Sequence, residues 1–323
     1  MIKIKIFNLL PYWLIALILL TAIQAGVIII SQQNSNKPIT LNALQASGTP
    51  QVLGAATSIR GDAAASAVQN ITEITNPDLS NVTAKSFLVF DLASGQELMQ
   101  KSSKQKLYIA SLTKLLTGFV AYQNIDFSQS ITVAKNDLLK VAPDLGFTAG
   151  DSVTASDVFN AMLIGSCNDA ALTLGNFVSG KLGKNFPDLM NQQAQALGMA
   201  SSHFSNPMGF DGPNNYSTAE DLKTLITATE ALAVFKNLGR RTAYEFTGSL
   251  GQNYSTVATN KLISDYPDIQ AIKTGFTYGA QGAMATKITI GSHEIVVIVL
   301  DSQNREGDTL KLRTALLDNF KWE

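Results

Sequence analysis

The chain has 323 residues, of which 46% are hydrophobic and 15% charged, so it holds enough apolar material for a substantial core. Its formal net charge of −1 gives no electrostatic basis for binding nucleic acid. A single cysteine, Cys167, excludes an intramolecular disulfide, and two histidines without a His/Cys cluster argue against a zinc site. We therefore expect no metal, no cofactor and no nucleic-acid partner.

The N-terminal segment predicts a membrane anchor. Lys3 and Lys5 precede residues 12–30, which contain no charged side chain. The 19 residues of this run, at about 1.5 Å each in a helix, reach roughly 28 Å, close to the hydrocarbon thickness of a bilayer. Residues 1–30 are thus predicted to form a cytoplasmic stub and an uncleaved single-pass anchor, with the remaining chain extracytoplasmic. A cleaved signal peptide and a buried core helix are the alternatives.

Residues 31–80 are rich in Ser, Thr, Asn, Gln, Ala and Gly and poor in large apolar side chains. Such a segment buries too little surface to offset the entropy lost on ordering. Its composition therefore predicts a flexible extracytoplasmic linker, followed by one folded domain over residues 81–323.

The first motif lies at the start of a predicted helix. Residues 87–90 indicate a strand, and residues 108–122 have the apolar spacing of a helix. Ser111 lies in the first turn of that helix, and Lys114 shares its face three residues later. A serine hydroxyl attacks effectively when a base takes its proton, and burial favours the neutral lysine that can do so. We predict that Ser111 is a nucleophile and Lys114 its base.

The second motif falls between two helices of a predicted helical lobe over residues 125–240. Ser156 is the predicted N-cap of the first of these helices, which ends at Gly165. Ser166 and Asn168 then straddle the turn, so both side chains can enter a cleft. The hydroxyl can relay a proton, and the amide can hold a carbonyl and an N–H of a substrate. Helix capping by Asn168 is the structural alternative.

After residue 241 the pattern changes to strands rich in Ile, Val and Thr, over residues 269–274, 284–290 and 294–300, before a closing helix over residues 308–320. Because N- and C-terminal strands enclose the helical lobe, the predicted class is α+β, with an antiparallel sheet flanked by helices and an inserted, mostly helical lobe.

The third motif, Lys273, Thr274 and Gly275, lies at the end of one of these strands. The ammonium and the hydroxyl suit a carboxylate, and Gly275 lets a substrate lie close to the strand. The backbone N–H groups of Ser111 and Phe276 are then expected to form an oxyanion hole. A surface turn is the structural alternative.

Four other residues whose side chains could carry chemistry are interpreted as structural. Ser103 is also followed by a lysine at the third position, but it lies in a polar run before the helix. Cys167 is expected to be a small buried side chain and His203 a loop or surface residue. Glu220 is explained as part of a capping box with Ser217 rather than as a general base.

Together the motifs resemble those of the D-alanyl-D-alanine carboxypeptidases among the low-molecular-mass penicillin-binding proteins, within the superfamily of serine β-lactamases and DD-peptidases. The resemblance is carried by five segments in the family's order: residues 109–114, 162–171, 204–210, 216–222 and 272–277.

The resemblance implies a DD-peptidase/β-lactamase-like fold and an acyl-enzyme on Ser111, with assistance from Ser166 and Asn168. Lys273 and Thr274 would bind the terminal carboxylate, and Thr277 would help line that site. Peptidoglycan stem peptides are the implied substrates, and β-lactams the implied covalent inhibitors.

Three other activities remain open at this point. A DD-endopeptidase would cut cross-links with the same residues, because both reactions attack a D-alanyl carbonyl. A β-lactamase is disfavoured by the lack of a Glu-x-x-x-Asn element between Ser166 and Lys273. A catalytically inert wall-binding protein would form no acyl-enzyme.

The sequence departs from the family pattern in one segment after the third motif. Gly279-Ala280-Gln281-Gly282 replaces the family's usual Ala-Gly pair, which affects one wall of the expected substrate pocket.

Overall fold

The computed structural model describes residues 71–323. The strands are β1 Ile71–Glu73, β2 Ser86–Asp91, β3 Glu97–Lys101, β4 Ser130–Thr132, β5 Ser152–Thr154, β6 Ala243–Thr247, β7 Asn253–Val257, β8 Ile269–Thr277, β9 Gln281–Ile290, β10 His293–Ser302 and β11 Phe320–Trp322. The helices are α1 Thr113–Asn124, α2 Ala155–Ile164, α3 Asn168–Leu182, α4 Phe186–Ala196, α5 Ala219–Glu230, α6 Ala233–Lys236, α7 Leu262–Asp265 and α8 Arg305–Asn319.

The central element is a five-stranded antiparallel sheet in the order β3-β2-β10-β9-β8. Strands from the beginning and the end of the domain therefore share one sheet, and the predicted α+β class is confirmed. β8 forms one edge of the sheet, so one side of its backbone is available to another chain.

The two faces of the sheet pack against different helices. Successive residues of a strand point to opposite faces, so Leu88 and Phe90 of β2 join the core with α1 and the helical lobe. Phe87 and Val89 join a second core, which α8 covers with residues such as Leu312. This double coverage explains why β2 and the middle of β10 are buried on both faces.

The helical lobe follows the predicted helices, with two caps displaced. Thr154, rather than Ser156, caps α2, because its side chain accepts the N–H of Asp157 at 3.0 Å while Asp157 accepts in return. Likewise Thr218, one residue after Ser217, caps α5 and accepts the N–H of Asp221 at 3.0 Å. The lobe also contains the paired strands β4 and β5, and the hairpin β6–β7 follows it.

The folded region begins earlier than the predicted boundary at residue 81. β1 pairs with β11, with Ile71 opposite Trp322 at the other end of the chain. A three-residue strand carries too little pattern to be separated from a linker by composition. The part of the predicted linker before residue 71 and the predicted anchor over residues 12–30 lie outside the described residues. Within residues 71–323 no helix is both long and apolar enough to cross a membrane.

Candidate active site

Ser111 lies in a 3₁₀ turn, Ala110–Leu112, that leads directly into α1. The predicted helix is thus preceded by a tighter turn, in which Ala110 has a φ of 47°. A positive φ at a non-glycine residue is strained and is found mainly where surrounding contacts hold it. Gly209 lies against this turn, since a Cβ there would be 1.9 Å from the Ala110 carbonyl oxygen.

Lys114 is fully buried, and its Nζ has three neighbours. It lies 2.8 Å from Ser111 Oγ, 2.8 Å from Asn168 Oδ1 and 2.7 Å from the Met208 carbonyl oxygen. The amide and carbonyl oxygens can only accept hydrogen bonds, so they take two of its N–H groups. In the neutral amine the lone pair is therefore left for the Ser111 hydroxyl.

Burial lowers the pKa of Lys114 to about 7, against the opposing effect of the Asp169 carboxylate. A substantial fraction of the amine is therefore neutral near neutral pH. Together with the 2.8 Å contact, this gives Ser111 a base within hydrogen-bonding reach.

Asn168 is held in a defined orientation by the segment before it. Its Nδ2 donates to the Val141 and Ala142 carbonyl oxygens at 2.9 and 3.2 Å, and its backbone N–H donates to the Pro143 carbonyl at 2.7 Å. These contacts direct Oδ1 to Lys114. Asn168 is the first residue of α3 and follows the N-cap residue, Cys167, so the helix-capping alternative for Asn168 is wrong and its side chain contributes to the Lys114 environment.

Ser166 lies in the buried turn between α2 and α3 with a φ of 62°. The turn fits closely against β7, because a Cβ on Gly165 would be 1.8 Å from Thr256 Oγ1. Next to Ser166, Cys167 is buried and its Sγ lies 3.6 Å from that same Thr256 oxygen. Burial raises the pKa of Cys167 to about 11, so the thiol stays protonated and is a poor nucleophile.

The third motif, on edge strand β8, lies next to Ser111. A Cβ on Gly275 would be 2.8 Å from the Ser111 backbone nitrogen, so only glycine permits this approach. Lys273 is almost fully buried and donates to the Thr274 carbonyl at 2.9 Å. Burial lowers the pKa of Lys273 well below its usual value, and the positive charges of Lys114 and Arg305 act in the same direction.

These contacts bring residues from three distant segments into one site. A profile of the D-alanyl-D-alanine carboxypeptidase family matches residues 71–304. The chain belongs to this family. The carboxypeptidase DacC of Escherichia coli is 30% identical over 240 residues, covering 69% of this chain and 58% of that protein. A D-alanyl-D-alanine carboxypeptidase of Mycobacterium tuberculosis is 30% identical over 229 residues, covering 69% and 77%.

Solved structures agree with this assignment. The fold matches a D-alanyl-D-alanine carboxypeptidase from Mycobacterium tuberculosis with a TM-score of 0.65 and 27% identity, over 75% of this chain and 92% of that one. It also matches a DD-transpeptidase from Streptomyces with a TM-score of 0.69 and 23% identity, over 76% and 99%. The DD-peptidase-like fold is therefore confirmed. The chain spans about three fifths of the length of the Escherichia coli relatives DacC and DacD.

Thr277, expected to help line the carboxylate site, also has a structural role at the end of β8. Its hydroxyl donates to Asp211 Oδ1 at 2.6 Å and accepts the Ala280 N–H at 3.0 Å, so it holds the turn after the strand. Phe276 is exposed, with its ring in edge contact with Tyr278. The Phe276 side chain therefore faces solvent.

Two further contributors to the site carry no recognisable sequence motif. Arg305, the first residue of α8, donates from Nη1 to the Gly275 carbonyl at 2.7 Å and adds positive charge near Lys273. The Met208 carbonyl oxygen fixes Lys114. A backbone carbonyl has no sequence signature, and Arg305 lies 30 residues beyond Gly275.

The residues interpreted as structural lie in other environments. Ser103 Oγ donates to Gln100 Oε1 at 2.7 Å, and His203 Nδ1 lies 2.7 Å from the Asn214 carbonyl oxygen. Glu220 lies 3.7 Å from the exposed Lys104. Over the described part of the chain, no group of three or more His, Cys, Asp or Glu side chains is placed to hold a metal ion.

Proposed function

We propose that this protein is a serine D-alanyl-D-alanine carboxypeptidase that removes the terminal D-alanine of peptidoglycan stem peptides. The observation that carries the proposal is the environment of Lys114, a buried amine with two obligate acceptors and the Ser111 hydroxyl as its third neighbour. Membership of the D-alanyl-D-alanine carboxypeptidase family supports the choice of substrate.

In the acylation step the Ser111 oxygen bonds to the carbonyl carbon of the penultimate D-alanine. Its proton passes to the lone pair of Lys114, and the developing oxyanion is stabilised by the backbone N–H groups of Ser111 and Phe276. The C–N bond then breaks, and the leaving D-alanine amine takes up a proton that Ser166 relays. Each donor removed from such an oxyanion hole typically costs a factor of about 10²–10³ in rate.

The terminal carboxylate of the substrate is assigned to Lys273 and Thr274. The carboxylate offsets the burial and the neighbouring cations that lower the pKa of Lys273, so its arrival favours the ammonium form. The positive charge of Arg305 lies in the same region and acts on the carboxylate with the same sign.

In the hydrolytic step a water oxygen bonds to the acyl carbon, and its proton goes to Lys114. The ester bond to Ser111 breaks, and the serine oxygen regains a proton. The products are free D-alanine and a peptide one residue shorter.

β-Lactams present a reactive amide carbonyl to the same serine, and we propose that they acylate Ser111 as covalent inhibitors.

Mass spectrometry of a pentapeptide muropeptide incubated with the full-length protein tests this activity. We expect loss of one alanine, and no loss with the Ser111→Ala variant as the matched control. Cross-linked dimers incubated in parallel test the endopeptidase. Release of monomers from these dimers without shortening of the pentapeptide would replace the carboxypeptidase by an endopeptidase.

We further propose that residues 12–30 anchor the protein in the cell membrane as a single-pass helix, with the catalytic domain extracytoplasmic. The support is the uncharged run over these residues and the lysines Lys3 and Lys5 before it. This location would place the site on the side of the membrane where peptidoglycan lies.

A further inference from the structure

Thr259, in the loop between β7 and α7, contacts both the second and the third motif. Its backbone N–H donates to the Ile164 carbonyl oxygen at 3.3 Å, two residues before Ser166, and its Oγ1 lies 2.5 Å from Thr274 Oγ1. The next residue, Asn260, is buried, and its Oδ1 accepts a backbone N–H two residues later at 3.0 Å, which holds the loop in place. Thr259 therefore links the α2–α3 turn to edge strand β8.

The two threonine hydroxyls can share their hydrogen bond in two ways. Either Thr274 donates to Thr259, or Thr259 donates to Thr274. Each hydroxyl carries one proton, so Thr274 can donate to a third group only when Thr259 is the donor within the pair. A carboxylate accepts hydrogen bonds and donates none. A carboxylate bound at Thr274 therefore selects the arrangement in which Thr259 donates.

The Thr259 oxygen is the group that directs the Thr274 hydroxyl. Within residues 71–323 the Thr274 hydroxyl has no second hydrogen-bonding partner. Lys273, the other residue assigned to the carboxylate, donates to the backbone carbonyl of Thr274 at 2.9 Å and leaves its hydroxyl free to turn. Without the Thr259 hydroxyl, the Thr274 hydroxyl would have to be ordered by the substrate itself, and that ordering costs affinity.

We propose that Thr259 is a positioning residue for substrate recognition: its hydroxyl donates to Thr274 Oγ1 and so directs the Thr274 proton at the terminal carboxylate. The inference rests on the proposed function, which assigns that carboxylate to Lys273 and Thr274. Thr259 acts through Thr274 and takes no part in the transfer of protons at Ser111. It lies outside the three sequence motifs, so only the folded chain brings it to the site.

Two matched ester substrates test the role of the carboxylate. They are N-acetyl-L-lysyl-D-alanyl-D-lactate and its C-terminal methyl ester, in which the same D-alanyl ester bond breaks and only the terminal charge differs. Chromatography of the released N-acetyl-L-lysyl-D-alanine gives kcat/KM for the full-length protein in detergent. We expect the wild-type protein to prefer the free acid by about tenfold or more, because the methyl ester removes the charged partner of Lys273 and Thr274.

Variants of Thr259 assign part of this preference to its hydroxyl. Thr259→Val, which has nearly the same shape, should lower kcat/KM on the free acid by about threefold to tenfold, the range of one hydrogen bond, and change turnover of the methyl ester by less than about twofold. Thr259→Ser restores the hydroxyl and should restore the wild-type ratio. Thr247→Val is the matched control, because it removes a threonine hydroxyl that is bonded to Asn253 on the β6–β7 hairpin. It should keep the wild-type ratio.

A double-mutant cycle tests whether Thr259 acts through Thr274. In a Thr274→Val background the substitution Thr259→Val should change kcat/KM on the free acid by less than about twofold, because the hydroxyl that Thr259 directs is already absent. Equal effects of Thr259→Val in the wild-type and Thr274→Val backgrounds would contradict the proposed coupling.

Other outcomes also separate this inference from the proposed function. The inference fails if Thr259→Val lowers turnover of both substrates equally, which is the result of a purely structural role, or if Thr259→Ser is as impaired as Thr259→Val. A wild-type protein that turns over both esters without preferring the free acid would also overturn it. Turnover of neither ester by the wild-type protein would instead overturn the proposed function, and this inference with it.

Discussion

At the scale of single residues, the proposed chemistry depends on whether an N–H group or the lone pair of Lys114 Nζ is directed at the Ser111 hydroxyl. The Asn168 and Met208 oxygens accept two N–H groups, so the third position of the amine changes from donor to acceptor when the proton is lost. Asn168 is itself oriented by two carbonyl oxygens, which prevents its amide from turning an N–H toward Lys114. In the proposed mechanism the protonation state of this one buried lysine therefore controls the reactivity of Ser111.

The rate of acylation should depend on pH in a defined direction. Because burial lowers the pKa of Lys114 to about 7, the active neutral form gains population as the pH rises. The second-order rate of acylation by a penicillin should increase from about pH 6 to about pH 8 and then level off. Stopped-flow measurement across this range checks it. Lys114→Arg, which stays protonated, should be nearly inactive at every pH, and a flat wild-type profile would remove Lys114 from the role of base.

The two Ser-x-x-Lys sequences allow a paired test of the nucleophile. Ser111→Ala should abolish covalent labelling by a fluorescent penicillin, because Ser111 has the buried amine 2.8 Å from its oxygen. Ser103→Ala should leave labelling intact, because Ser103 Oγ is bonded to Gln100. In-gel fluorescence measures the labelling of both variants. Full labelling of the Ser111→Ala variant would contradict the assignment of Ser111 as the nucleophile.

At the scale of elements, the site forms where the Ser111 turn, the α2–α3 turn and edge strand β8 meet. Glycines allow these close approaches: Gly275 against the Ser111 nitrogen, Gly165 against Thr256 and Gly209 against the Ala110 carbonyl. In each case a Cβ would come within 3 Å of the neighbouring atom. The relative placement of the three elements is therefore sensitive to one methyl group.

Gly275→Ala should lower the acylation rate by about 10²-fold, since a displacement of about 1 Å at a reacting group costs that much. The added Cβ would be 2.8 Å from the Ser111 nitrogen and 2.9 Å from Ala110 Cβ, so the strand or the turn must shift. Gly180→Ala is the matched control, because a Cβ on this exposed glycine of α3 meets nothing within 4 Å. It should acylate at the wild-type rate. Equal rates for the two variants would show that the close approach is unimportant.

A buried ion pair connects the helical lobe to the sheet. Lys287 of β9 lies 2.8 Å from Glu230 at the end of α5 and 3.0 Å from Glu294 of β10. Burial alone would lower the pKa of Lys287, but the hydrogen bonds and charges of these two carboxylates outweigh it and raise the pKa. Lys287 thus stays charged inside the protein.

Lys287→Met should lower the free energy of unfolding by about 3–5 kcal/mol, because it leaves the Glu230 carboxylate buried without its partner. Lys85→Met removes the cation of an exposed pair with Asp301 and should cost about 1 kcal/mol or less. Thermal unfolding of the two variants measures the difference. Similar melting temperatures for the two variants would contradict this prediction.

At the scale of the whole molecule, N- and C-terminal segments build one sheet, and the helical lobe is inserted between them. β1 and β11, at the two ends of the described domain, also pair with each other. The active site lies where the lobe meets the sheet, so both parts of the chain must fold before Ser111, Asn168 and Gly275 come together.

The membrane anchor remains a prediction at this scale. The full-length protein should stay with membranes through washing at high salt, and its N-terminus should map to Met1 or Ile2. A variant lacking residues 1–30 should appear in the soluble fraction, because it has lost the uncharged run. Fractionation and N-terminal mass mapping check this. A mature N-terminus beyond Ile30 on a freely soluble protein would indicate a cleaved signal peptide.

The sequence by itself determined the chemistry and the class of fold. Nucleophile, base, amide and carboxylate-binding groups have side chains of fixed reactivity, and strand or helix periodicity is local, so both could be inferred from residue types and spacing. The caps of α2 and α5 were predicted only approximately, because neighbouring residues offered the same capping pattern in another frame.

Only the tertiary structure decided how the groups act on one another. The Met208 carbonyl at Lys114, Arg305 at Gly275 and the pairing of β1 with β11 all join residues far apart in the chain. The lowered pKa of Lys114 arises from burial by the surrounding fold. These properties depend on distances between segments, and distances between segments are fixed only when the core has packed.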